Sequence, residues 1–143
     1  MLDHPYVGLI TDIDGTIAPI AVIPDEAQVS SGCRSALATL TSSMTLVAVL
    51  TGRDVLKARE MLTTDDVVYV GNHGLDRWQD GKLEMAEEAR DYLPVVQRLE
   101  DKLRQDLGML GLIVEDKGVS FGIHYRLSPE PGKTRAAILD TLG

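Results

Sequence analysis

The sequence predicts an α/β fold, in which a largely parallel sheet is wound with helices and a smaller α+β unit follows. Three observations carry this. Three short, almost wholly apolar runs, 6–11 (YVGLIT), 45–50 (TLVAVL) and 67–70 (VVYV), have the form of parallel strands buried on both faces. Helix-like stretches separate them, as in consecutive βαβ units. After Gly74 the pattern changes to a hairpin, a long amphipathic helix, two strands and a closing helix. The boundary is placed near residue 80, so 1–80 and 81–143 are read as separate units.

Each element has its own justification. The first run stops in the acidic turn Asp12-Ile13-Asp14-Gly15-Thr16. Pro24 and Asp25 read as the opening of a helix to about Leu40, with Ala27, Cys33, Leu37 and Leu40 available for one face. The second run stops at Thr51-Gly52-Arg53-Asp54, and a helix to about Leu62 follows with Asp54 placed to cap it. The third stops at Gly71-Asn72-His73-Gly74. Leu75 to Met85 reads as a hairpin turning at Asp80-Gly81. Ala86 to Gly108 carries Leu93, Val96, Leu99, Leu103 and Leu107 at helical spacing; Pro94 marks either a kink or the true start of that helix. Leu112 to Asp116 and Val119 to Leu127 are two strands joined near Lys117-Gly118, and a last helix follows Ser128-Pro129-Glu130-Pro131-Gly132.

Composition narrows the function classes. A chain of 143 residues with 44% apolar and 25% charged residues is globular rather than disordered. Fourteen basic against 22 acidic residues give a net charge of −8, which argues against nucleic acid and anionic membrane as partners. An anionic small substrate stays compatible, because a bound cation and a few local basic groups decide that. Cys33 is the one cysteine and cannot form an internal disulfide, so a reducing, cytoplasmic setting is expected. No apolar run approaches the roughly 18 residues of a membrane span, and Asp3, His4 and Pro5 interrupt any leader-like apolar core.

The polar clusters Asp12/Asp14, Thr51/Arg53 and Asn72/His73 each follow a predicted parallel strand, and ligands of wound sheets bind outside the carboxyl ends of the strands. Two carboxylates one residue apart suit a hard cation such as Mg²⁺. One can also attack a phosphoryl group while the other serves as general acid and base. A calcium loop fits poorly, since Gly15 follows Asp14 directly and Ile23 stands where that loop needs Glu; a plain strand-ending Asx turn is the bland alternative. Thr51-Gly52-Arg53-Asp54 offers a hydroxyl and main-chain N–H groups to a phosphate at a helix N-terminus, or simply caps that helix. Asn72 and His73 are candidates for substrate contact or for a structural turn. Gly132-Lys133-Thr134 imitates the end of a P-loop, but Leu127 occupies the required first glycine. In the last hairpin, alternation puts Val119, Phe121, Ile123 and Tyr125 on one face and Ser120, Gly122, His124 and Arg126 on the other. With Glu115 and Lys117 alongside, that polar face suits hydroxyls and an anion, or is merely solvated.

Together these motifs resemble a known family. Asp12-Ile13-Asp14-Gly15-Thr16 and Leu50-Thr51-Gly52-Arg53 are similar to the first and second motifs of the haloacid dehalogenase superfamily. Gly71-Asn72-His73-Gly74-Leu75, Val114-Glu115-Asp116-Lys117-Gly118 and His124-Tyr125-Arg126 resemble its trehalose-6-phosphate phosphatase branch. The resemblance implies the first half of a Rossmann-like core with a partial α+β cap, and Mg²⁺-dependent hydrolysis of a small-molecule sugar phosphate, trehalose 6-phosphate, to trehalose and phosphate. It makes Asp12 the nucleophile and Asp14 the general acid and base, both holding Mg²⁺, with the Asp14 carbonyl as its ligand. Thr51 then hydrogen-bonds the transferring phosphoryl group. Gly52, Arg53, Asn72, His73, Glu115, Lys117, His124 and Arg126 become substrate-binding positions. Sucrose phosphate and mannosyl-phosphoglycerate are rival substrates, and a non-catalytic phospho-acceptor module is a rival class. The family's later lysine and acidic motifs do not occur before Gly143, so an N-terminal portion of such a phosphatase is expected, with exposed sheet edges able to pair with a complementary chain.

Overall fold

The parallel runs form β1 (Gly8–Thr11), β2 (Leu46–Leu50) and β3 (Val68–Gly71), and the hairpin forms β4 (Asp76–Gln79) and β5 (Lys82–Met85). The computed structural model describes residues 6–143; Asp3, His4 and Pro5, read against a leader, lie outside the described residues. The five strands make one sheet in the order β1-β2-β3-β4-β5, parallel across the first three and antiparallel thereafter. Asp80 and Gly81 take φ of 52° and 75°, the left-handed pair that a two-residue hairpin turn requires.

Helix α2 (Val55–Leu62) starts where expected, with the Asp54 carboxylate accepting from the Leu56 and Lys57 N–H groups. Helix α1 does not start at Pro24. Pro24–Glu26 is a single 3₁₀ turn, and the helix proper is Ser31–Thr41, capped by the Ser30 hydroxyl accepting from Cys33 N–H. A side-chain acceptor outweighs the fixed φ of proline as a start signal. Leu37 from α1 and Val55, Ala58 and Leu62 from α2 pack with Val47, Val49 and Tyr69 of the sheet into one core. Burial on both faces, expected of these apolar runs, is not observed: the opposite sheet face leaves Ile10, Leu46 and Leu50 exposed, because among the described residues no helix of the first unit covers it, and β1 is an edge strand.

The chain divides into two compact units between Ala86 and Glu87, not near residue 80. The hairpin cannot be cut at its turn, because β5 reaches the sheet only by pairing with β4. The second unit opens with α3 (Glu87–Leu107), so Pro94 lies inside the helix rather than at its start. Glu87 and Glu88 occupy its first turn, where negative charge suits the helix dipole. Strands β6 (Ile113–Asp116) and β7 (Phe121–His124) pair antiparallel, and α4 (Pro131–Leu142) closes the chain. Leu103 and Leu107 of α3, Val114 of β6 and Ile138 of α4 form a second core, with Phe121, Ile123 and Tyr125 packed against it. That is the apolar face the alternation assigned. Thr134 is buried inside α4, which agrees with setting the P-loop imitation aside. Among the described residues no helix is long and apolar enough to cross a membrane.

Candidate active site

Asp12 leaves the end of β1 exposed, with one carboxylate oxygen accepting from Ile13 N–H at 2.7 Å. Ile13 is wholly buried and anchors the turn: its carbonyl accepts from the N–H groups of Thr16, Ile17 and Ala18. Asp14 thereby points back toward the end of β2. Both its carboxylate oxygens accept from Arg53, from Nε and from Nη2, each at 2.7 Å. Arg53 is only 7% exposed and also donates to the Pro24 carbonyl at 2.9 Å. A planar guanidinium matches a carboxylate in this two-point way, which fixes orientation as well as charge. Arg53, expected at the substrate, thus holds Asp14 and the segment after it through Nε and Nη2.

The ends of β2 and β3 are tied by their main chains. Thr51 N–H donates to Val70, Asn72 N–H to the Arg53 carbonyl at 2.7 Å, and His73 N–H to the Thr51 carbonyl at 3.2 Å. The Thr51 hydroxyl oxygen accepts from Arg53 N–H at 3.2 Å and keeps its own proton to donate. The exposed His73 ring lies over Gly52; a Cβ there would sit 2.6 Å from the ring. Asn72 and His73 both have positive φ, 48° and 58°, a costly pair for non-glycine residues of about 1 kcal/mol each or more. Asn72 is 1% exposed, so of this pair only His73 reaches solvent.

The capping alternative holds at the N-terminus of α2. Asp54 takes the N–H groups of Leu56 and Lys57, and the carboxylate of Asp76 takes that of Val55. The donors are satisfied internally.

Asp76 is the residue that sequence reasoning missed. At the start of β4 it is 8% exposed, accepts from Asn72 Nδ2 at 2.7 Å, and leaves its other carboxylate oxygen buried without a hydrogen-bond partner. Its alternation with Trp78, directly opposite Gly71, was the available signal: an acid on an apolar face needs a small neighbour. Burial pushes Asp76 above the ordinary value of 3.8, opposed by the Asn72 and Val55 hydrogen bonds, and the Asp54 charge adds to the rise. A carboxyl whose folded pKa is raised gives its full stabilisation below 3.8, and loses it as pH climbs through the folded value. Asp76→Asn is thus expected to gain stability relative to the native chain as pH rises from below 3.8 toward neutral. Urea midpoints across that range measure it.

In the second unit, Glu115, Lys117 and His124 gather over Gly122, where a Cβ would lie 3.3 Å from His124 Nε2, 3.4 Å from Glu115 and 3.5 Å from Lys117. Glu115 meets His124 Nε2 at 2.9 Å and Lys117 Nζ at 4.0 Å. Arg126 is exposed beyond the end of β7. The polar face is thus an organised acid–base cluster rather than a row of separately solvated side chains.

For a metal, no group of three or more His, Cys, Asp and Glu side chains comes together among the described residues. What the first unit presents is the Asp12 carboxylate, with the Asp14 side chain engaged by Arg53 and its main-chain carbonyl remaining. Two oxygens fit Mg²⁺, which retains several waters and takes phosphate oxygens as further ligands.

Comparison with known proteins completes the assignment. The chain superposes on a trehalose-6-phosphate phosphatase related protein with a TM-score of 0.77 at 21% identity, covering 94% of this chain and 59% of that one. It superposes on the C-terminal domain of C. albicans trehalose-6-phosphate phosphatase with a TM-score of 0.76 at 23% identity, covering 94% and 48%. These likenesses define the class, the α/β fold expected from the haloacid dehalogenase resemblance. The family model for trehalose-phosphatase matches residues 10–142, and the chain belongs to that family. A trehalose-phosphate phosphatase of Mycolicibacterium paratuberculosis is 34% identical over 125 residues, 86% of this chain and 31% of that protein. Trehalose-phosphate phosphatase B of Arabidopsis thaliana is 26% identical over 128 residues, 82% and 34% respectively. The chain spans about a third of the length of these relatives.

Proposed function

We propose that the chain carries the nucleophile and acid–base machinery of a Mg²⁺-dependent hydrolysis of trehalose 6-phosphate to trehalose and phosphate. The observation that supports it best is Asp12-x-Asp14 at the end of β1, coupled through Arg53 to Thr51 at the end of β2, in a chain of the trehalose-phosphatase family. A carboxylate oxygen of Asp12 attacks phosphorus, the bond from phosphorus to the sugar oxygen breaks, and Asp14 gives that oxygen its proton. Water then attacks the aspartyl phosphate, Asp14 takes its proton, and the bond to Asp12 breaks to release phosphate. Both Asp14 oxygens accept from Arg53 in the structure, so handing over a proton requires at least one of these bonds to open. Thr51 donates its hydroxyl proton to a phosphoryl oxygen, and His73 stands exposed beside it. The Asp12 carboxylate and the Asp14 carbonyl would hold Mg²⁺, which when bound would supply charge stabilisation to the transferring group.

In this reading the first unit, to Ala86, supplies part of the phosphatase core and the second, from Glu87, part of a cap. Glu115, Lys117 and His124, with Arg126 nearby, read the sugar hydroxyls. The enzyme acts in the cytoplasm. The bare sheet face and the β1 edge support pairing with a complementary polypeptide.

Phosphate release from trehalose 6-phosphate, sucrose phosphate and mannosyl-phosphoglycerate, with and without Mg²⁺, tests the reading, using the chain alone and mixed with the remaining length of a relative. Mg²⁺-dependent release confined to trehalose 6-phosphate is expected. Equal release from all three substrates sinks the assignment of the sugar. Glu115→Gln, which keeps an acceptor oxygen for His124, is expected to raise KM for the sugar phosphate about tenfold while the unfolding free energy from urea titration falls by no more than about 1 kcal/mol.

A further inference from the structure

We propose that Asp76 is a positioning residue for the candidate site: from the start of β4 it locks the Asn72-His73 turn against the Thr51-Gly52-Arg53 loop. Nothing in the phosphoryl-transfer scheme uses this carboxylate, yet it is nearly sealed from water. Its Oδ2 accepts from two places at once, Asn72 Nδ2 at 2.7 Å and Val55 N–H at 3.4 Å. The first bond holds the side chain of a residue with φ of 48°, followed by His73 with φ of 58°. The second holds the residue that follows the Thr51–Asp54 loop into α2. Oδ1 presses on Gly71, where a Cβ would lie 2.3 Å away, so the carboxylate has one seat. Asp76 thus bonds both to Asn72 in one loop and to Val55 just past the other, beside the two main-chain bonds that join the loops, Asn72 N–H to Arg53 and His73 N–H to Thr51. Two consecutive left-handed non-glycine residues persist only where their surroundings over-determine them, and Asp76 provides that.

The bearing on catalysis rests on the phosphatase reading, since it matters through Thr51 and His73; the lock itself does not. A residue that only stabilised the hairpin would not couple to Thr51. The test therefore reads the loops directly, by ¹H–¹⁵N spectra and amide exchange of the full chain. In Asp76→Ala the amides of Thr51, Arg53, Asn72 and His73 are expected to shift together and to exchange about tenfold faster or more, while those of Leu37 and Ala58 hold. Asp76→Asn, which keeps an acceptor oxygen, restores them. Tyr69→Phe is the control: from β3, beside β4, it removes a half-buried hydrogen bond to the Thr64 carbonyl in the loop before that strand and leaves the four amides in place.

Changes confined to β4 and Val55, or a uniform rise in exchange across the first unit in both Asp76→Ala and Tyr69→Phe, overturn the proposal. If Asp76→Ala does not fold, Asn72→Ala removes the same bond from the other side and is read identically. Vanadate titration of the Thr51 and His73 amides separates the two readings. Binding to the native chain, weakened about tenfold in Asp76→Ala and retained in Asp76→Asn, supports both. Equal binding by Asp76→Ala overturns the positioning role. No binding by the native chain counts against the phosphatase reading, and the lock then stands or falls on the amides.

Discussion

Gly71→Ala is expected to cost the first unit about 3 kcal/mol or more, enough to unfold it at ordinary temperature. Gly71 ends β3 with its Cα against three atoms that cannot retreat. An added Cβ would lie 2.3 Å from Asp76 Oδ1, 2.6 Å from Val55 N and 2.8 Å from the Arg53 carbonyl oxygen. Two of these are main chain, one at the start of α2 and one in the loop before it. Relief therefore means parting β3 from α2 across the core that Val55, Tyr69 and Leu62 share. Trp78, the one tryptophan, packs against that core, so its fluorescence in a urea titration reports on this unit. Gly32→Ala is the contrast: an added Cβ finds only the Ser30 hydroxyl at 3.9 Å, in the first turn of α1. It is expected to be neutral or to gain up to about 1 kcal/mol.

The two carboxylates of the acidic turn are expected to separate in stability though both are assigned to one reaction. Asp14→Ala strips Arg53 of its two-point partner. The Arg53 side chain is 9% exposed, so its charge stays largely out of water with a partner removed. Breaking such a pair costs about 3–5 kcal/mol when fully buried. Asp14 is itself 37% exposed, which lets water reach the guanidinium and brings the expectation to about 2–3 kcal/mol. Asp12→Ala removes an exposed side chain with one local hydrogen bond and should cost no more than about 1 kcal/mol. Paired urea titrations measure the gap, and equal losses would show that the Arg53 pairing contributes little. Both substitutions should abolish phosphate release where the native chain has it.

Much of this arrangement was legible because buried parallel strands announce themselves as apolar runs. Their polar ends then had to gather on one side of the sheet, and Asp14, Arg53, Thr51 and Asn72 do so. Asp80-Gly81 was legible for a local reason, since few residue pairs accept two positive φ values. What escaped depended on partners distant in sequence. Pro24-Asp25 carries the marks of a helix start, yet Ser30 supplied the acceptor that α1 uses. The boundary near residue 80 failed because a hairpin turn looks like a junction until its second strand is seen paired. The pairing of Arg53 with Asp14 escaped because the sequence neighbours of Arg53 say nothing of a residue 39 positions away. Asp76 looked like an ordinary hairpin residue; its role exists only because Gly71 leaves room opposite it.

In the proposed reaction Asp12 accepts the phosphoryl group. Incubation of the chain with trehalose 6-phosphate and Mg²⁺, rapid quenching and mass spectrometry of the peptide containing β1 and the acidic turn would test it. The added mass of one phosphoryl group on Asp12 is expected, lost in Asp12→Asn and absent without Mg²⁺. A label on Asp14, His73 or any other residue, or no label on the native chain, would contradict it.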